Sequence, residues 1–361
     1  MSAVSGWLDA ARRGAATHAA RLARAIEPWL GPAESSPGLA AEARALAARF
    51  ARLAAGAEAP RDVARAAAAA RAEALWMAVE SFAATVGGEE WRAVSRVLVA
   101  LDEPSAERRR LRHPIAWRRA LAARRVGLLH DPDARPALRR AMERGPGIVT
   151  LAAALALARA RDLEALRWLL DHPEATARRP RQQLVAVLRR FGPGAAPVVR
   201  DAVEAWSPTA AIHLAAVEAL GAWGAREAGP WLERLLADGG VEARTAAARA
   251  LGLLGDPAHE AALVAALDDY AWPVRAQAAR ALGALGAARA VQRLAARVHD
   301  RAWWVRRHAA YALAACGPRG RAALRALRRQ RADRFARDMA GEVLQRVAWD
   351  RESPGGVDRV A

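Results

Sequence analysis

The chain has 361 residues, a formal net charge of +18 and 53% apolar residues. That length exceeds a usual compact domain, so the chain either holds several domains or grows in one direction by repetition. A single cysteine, Cys316, excludes a disulfide framework, and the longest uncharged stretches, such as Gly145 to Ala158, are too short to cross a bilayer as a helix.

Alanine supplies much of the apolar share and favours helix, while Phe, Tyr and Ile are scarce. The whole sequence therefore predicts helices. All 56 basic residues are Arg, with no Lys and no Asn. Together with the abundant Ala, Gly and Pro, this is the composition of a genome rich in G and C. The same charge suits a polyanionic partner, either an acidic surface or nucleic acid. The opening "MSAVSGWLDAARRG" has no continuous apolar segment and does not read as a secretory signal. The expectation is a soluble, cytoplasmic chain.

Residues 1–112 predict an irregular helical cap or interaction region. Helices are expected near 4–29, 38–55, 60–86 and 89–101, with breaks at "GPAESSPG", "GAEAP" and Gly87-Gly88. The basic run "ERRRLRHPIAWRRALAARR" follows, from Glu107 to Arg125, with a helix start at Pro114. Like charges this dense stay solvated or meet an anion. Arg108, Arg109, Arg110 and Arg112 are therefore candidate partner contacts.

From residue 113 to 349 the sequence repeats. Gly192, Gly224, Gly255, Gly286 and Gly317 each close a helical run, and the same register reaches back to Arg161 and His130. Four residues before these positions stand Leu313, Leu282, Leu251, Leu220, Leu188, Leu157 and Val126; eight before stand Ala309, Ala278, Ala247, Ala216, Leu184, Ala153 and Ala122. Pairs at i, i+4 share one helix face, and the closing Gly suits the left-handed residue just past a helix end. A first helix carries Leu138, Leu169, Leu232, Leu263 and Leu294, eight residues after a closing position. Each unit is thus a helix pair that buries its apolar face only in a stack. The predicted fold is all-α: a right-handed α-solenoid over 113–349, then a disordered tail over 350–361.

One unit carries Asp269, Val274, Arg275, Ala278, Ala279, Ala281, Leu282, Gly283, Leu285 and Gly286. This pattern resembles the short HEAT-like repeat of bacterial proteins, the type named after phycobilisome lyases, over about residues 115–348. The resemblance implies an Asp–Arg ladder between neighbouring repeats. Its candidates here are Asp238, Asp269 and Asp300 with Arg244, Arg275 and Arg306. It also implies a concave face, made by the second helices, that binds proteins.

A second set of candidates comes from comparing two units. "DDYAWPVRAQAARALGALG" becomes "HDRAWWVRRHAAYALAACG" 31 residues later. Trp272 is followed by Trp303 and Trp304, and Arg307, His308 and Tyr311 appear where stacking does not ask for them. Aromatic and Arg residues together suit a binding surface. These six residues are expected to border a partner site at the C-terminal end of the concave face. No catalytic constellation is found: the eight His are scattered, no phosphate loop follows a strand, and no metal or cofactor is expected. Cys316 reads as a small buried residue. The function expected is a non-enzymatic scaffold or adaptor for a protein partner. Two alternatives rest on HEAT-like relatives: a nucleic-acid binder related to DNA alkylation-repair glycosylases, and a bilin lyase.

Overall fold

The computed structural model describes residues 37–129, 131–204 and 209–352. The helix expected over 4–29 lies outside them; of the tail expected over 350–361 only residues 350–352 are described, and they continue the last helix. Every regular element among the described residues is a helix. The chain divides into two compact units, one up to Ala165 and one from Leu166.

The first unit contains α1 (Pro37–Ala54), α2 (Pro60–Ala69), α3 (Ala72–Thr85), α4 (Gly88–Val99), α5 (Asp102–Arg110), α6 (Ala116–Leu128), α7 (Arg135–Arg144) and α8 (Gly147–Arg159). The single helix expected over 60–86 is in fact two. Ala70 and Arg71 are extended, with ψ of 154° and 136°. No Gly or Pro marks this break. It is held by Glu42 of α1, whose carboxylate accepts the Arg71 backbone N–H at 2.8 Å and its Nε at 2.6 Å. The core of this region centres on Phe50, Phe82 and Trp91, with ring centroids 5.9 and 6.0 Å apart in successive pairs. It reaches the repeats directly, because Trp91 Nε1 donates to the Leu128 carbonyl at 2.9 Å and Leu129 belongs to the same apolar cluster. α1 packs on α3, α3 on α6 and α6 on α8. Stacking of second helices thus extends back into a segment that keeps no 31-residue period.

α9 (Leu163–Asp171) spans the division. The second unit continues with α10 (Arg181–Arg189), α11 (Ala196–Glu204), α12 (Ala211–Ala222), α13 (Gly229–Asp238), α14 (Val241–Leu254), α15 (Glu260–Ala266), α16 (Trp272–Ala284), α17 (Val291–Arg297), α18 (Trp303–Ala315), α19 (Gly317–Arg329) and α20 (Arg334–Glu352). The second helices α10, α12, α14, α16, α18 and α20 pack each on the next, and α13, α15, α17 and α19 flank them. The fold is an all-α solenoid of helix pairs.

The repeat positions explain the stack. Leu313, Leu282, Leu251, Leu220, Leu188 and Leu157 are fully buried, as are their alanine partners Ala309, Ala278, Ala247, Ala216 and Ala153. Small residues set the spacing between second helices. A Cβ on Gly221 would stand 2.4 Å from the Ala250 carbonyl oxygen and 2.6 Å from its Cα, so α12 and α14 can meet this closely only at glycine. The five closing glycines have φ between 63° and 80°. Arg161 takes the same position with φ 52°, a conformation that costs an L-residue about 1 kcal/mol or more. Its side chain is exposed, so Arg161→Gly loses little contact. The variant should gain about 1 kcal/mol. A thermal melt checks this, and an unchanged or lower midpoint would contradict it.

Candidate partner-binding surface

The ladder residues bind from one unit to the next. Arg244 donates from Nε and Nη2 to Asp269 at 2.7 and 2.9 Å, and Arg275 does the same to Asp300 at 2.8 and 2.9 Å. Each Asp also accepts an N–H at the start of its own second helix, from Ala271 at 2.8 Å and Ala302 at 2.9 Å. Each Arg uses Nη1 for carbonyl oxygens of the preceding turn, Gly239 for Arg244 and Asp269 with Tyr270 for Arg275. Burial opposes ionisation of Asp269 and Asp300, but the guanidinium and backbone bonds hold both carboxyls below the usual carboxylate range. Hydrogen bonding to Asp269 raises the Arg244 pKa.

Among the described residues the rungs stop at both ends of this pair. Asp238 is exposed, and His213 stands where its Arg would be; His213 instead bonds the Leu170 carbonyl oxygen at 2.8 Å. Arg306 has Arg331 at its rung position. It bonds the carbonyl oxygens of Asp300 and Arg301 and lies over the Phe335 ring at 5.3 Å. One buried acid outside the expected set joins three second helices. Glu218 of α12 meets Arg181 of α10 at 3.2 Å and Arg249 of α14 at 3.3 Å.

The aromatic candidates gather on α16 and α18. Arg307 stands between Trp303 and Tyr311, one turn before and one turn after it, at 5.6 and 4.9 Å from the ring centroids. Trp304 and His308 form the adjacent stripe at 6.1 Å. The two neighbouring Trp rings meet edge to face at 4.7 Å. Neither is buried: Trp303 is 45% and Trp304 49% exposed, beside Trp272 at 47%. Burial depresses the His308 pKa, and the positive fields of Arg280 and Arg307 add to it, so the ring stays neutral at physiological pH. Phe335 extends the surface and was missed in the sequence. It lies 58% exposed on α20, one repeat after Trp304, as Trp303 lies one repeat after Trp272. That register was the signal that could have found it.

The basic run divides. Arg108 is tied to the buried Asp131 at 3.1 Å, and Arg110 bridges Glu103 and Glu107 at 2.7 and 2.9 Å. Both are engaged by carboxylates of the fold, and Arg110 keeps an exposed side chain. Arg109 and Arg112 are exposed. Cys316 is buried, and burial raises its thiol pKa, which keeps it protonated and unreactive. Among the described residues no group of three or more His, Cys, Asp or Glu is placed to hold a metal, and no helix is long and apolar enough to cross a membrane.

Residues 196–345 match the family of HEAT repeats in three overlapping stretches, 196–269, 231–314 and 260–345. A search of curated proteins found no relative. Among solved structures, the chain is similar to the complex of CpcE and CpcF of phycocyanin lyase from Nostoc sp. PCC7120. Identity is 23%, 67% of this chain and 94% of that chain are covered, and the TM-score is 0.34. Human deoxyhypusine hydroxylase is similar at 21% identity, over 78% of this chain and 99% of that chain, with a TM-score of 0.32. Kap121p is similar at 14% identity, over 92% of this chain and 38% of that chain, with a TM-score of 0.40. Likenesses this distant carry no argument about function. The helix pairs of residues 196–345, with their 31-residue period, are HEAT repeats.

Proposed function

We propose that the chain is a non-enzymatic scaffold or adaptor that binds a protein partner on the second-helix face at the C-terminal end of its repeats. One observation carries this reading. Trp272 and Trp303 share one repeat position, Trp304 and Phe335 the next, and each of the four is close to half exposed, while Arg307 is braced between two rings. Stacking requires Val305, Ala309 and Leu313, which are buried; it does not require these aromatics. Exposed aromatics with an oriented Arg are the side chains that dominate interface energy. Affinity capture with the intact chain identifies the partner, and the Trp304→Ala, Arg307→Ala double variant serves as the second bait. The partner should be retained by the first bait and lost from the second. Equal retention would end the proposal.

The net charge of +18 favours nucleic acid as a second reading. Against it, many of the arginines pair with carboxylates inside the fold, among them Arg108, Arg125, Arg139, Arg244 and Arg275. A gel shift at two salt concentrations separates the readings. Sequence-independent binding that falls steeply with salt would favour nucleic acid.

A further inference from the structure

The groove between successive first helices recurs along the chain with its charge reversed. Between α13 and α15 it is lined by Glu233, Asp268 and Asp269, with alanines that include Ala237 and Ala265. The corresponding cleft between α5 and α7, four units earlier, has a volume of about 470 Å³. Arg144 stands there in the place of Asp269, Arg140 in that of Ala265 and Arg112 in that of Ala237. Arg119 completes the lining, and no acidic side chain contributes to it.

Arg119 and Arg144 hold the two positions that Arg244 and Asp269 hold in the ladder. The Nη1 of Arg119 does the same work as that of Arg244 and Arg275: it donates to the carbonyl oxygens of His113 and Pro114 at 2.7 and 2.8 Å. The Nε–Nη2 edge, which in the ladder grips a carboxylate, here meets an arginine position. Nearby acids are committed elsewhere: Asp131 to Arg108, Glu107 to Arg110 and Arg125, and Asp162 to Arg139. Glu143, next to Arg144 on α7, does not line the cleft. Among the described residues no carboxylate pairs with Arg112, Arg119, Arg140 or Arg144. The fold thus presents a ladder socket from which the anion has been removed and to which three further arginines have been added.

We propose that this cleft binds a phosphate dianion, either free or as the terminal group of a small phosphomonoester. Guanidinium forks match phosphate oxygens in pairs, and four arginines call for more charge than the single carboxylate of a rung. The site lies in the first unit and does not depend on the partner surface. The test is calorimetric titration of the full chain at pH 7.5 and constant ionic strength, with inorganic phosphate in one arm and glycerol phosphate in the other. Saturable binding is expected, and the tighter arm names the source. Arg144→Asp restores the rung to Arg119, so it should weaken phosphate binding at least tenfold without lowering the melting temperature. Arg140→Gln, at an exposed position outside the rung, should weaken binding severalfold and leave the melt unchanged. No saturable binding in either arm would overturn the site, as would wild-type affinity in a folded Arg144→Asp variant. Should that variant fail to fold, wild-type affinity in Arg140→Gln overturns it equally.

Discussion

Leu282→Ala lowers the stability of the chain by about 2–5 kcal/mol, the range for a leucine removed from a core that cannot collapse around the gap. Leu282 is fully buried on α16, and its neighbours on the same stripe, Ala278 and Ala279, are too small to fill the space. α16 packs on both α14 and α18. In a linear stack each unit is stabilised by its neighbours, so the loss weakens two interfaces. Urea unfolding followed by helical signal measures it. A midpoint equal to wild type would mean that the 31-residue register has been misread.

Arg275→Ala comes next in size, at about 3 kcal/mol. The variant leaves the Asp300 carboxylate buried without its bidentate partner and leaves two carbonyl oxygens of the preceding turn without their donor. The pH dependence distinguishes this from a packing defect. Asp269 and Asp300 have folded pKa values depressed below the ordinary carboxylate value of about 3.9. Their contribution is therefore complete above that value and is lost as the pH falls through the lower folded one. Wild type should lose stability steeply below about pH 4. Arg275→Ala should start lower and fall less steeply, because the Asp300 share is already gone. Parallel curves for the two proteins would contradict the ladder.

The repeat was legible because one choice recurs at many positions. Leucine at one place, alanine one turn earlier and glycine at the close each have a physical reason, and all agree on a period. The N-terminal helices were less legible. α1 and α3 stack like second helices and α3 packs on α6, but the core of α1, α3 and α4 is built around Phe50, Phe82 and Trp91 in place of the small-residue pattern. The break at Ala70-Arg71 depends on Glu42, 29 residues away, and leaves no local trace. On the candidate surface the exposure of both Trp303 and Trp304 follows from their place at a helix start. The engagement of Arg108 and Arg110 could not be read from charge density. Asp131 reaches Arg108 only through the fold, and Glu107 becomes buried between Arg110 and Arg125. The reversed groove was hidden for a related reason: the arginines at 119 and 144 become informative only once Arg244 and Asp269 are seen to touch.

The most direct measurement of the central claim is the dissociation constant of the captured partner for wild type and for the Trp304→Ala, Arg307→Ala variant, with a melt of each. Both residues are partly exposed and lie outside the buried stripe, so the melts should nearly coincide. The constant should rise tenfold or more, about 1.4 kcal/mol. An unchanged constant in a folded double variant would contradict the account.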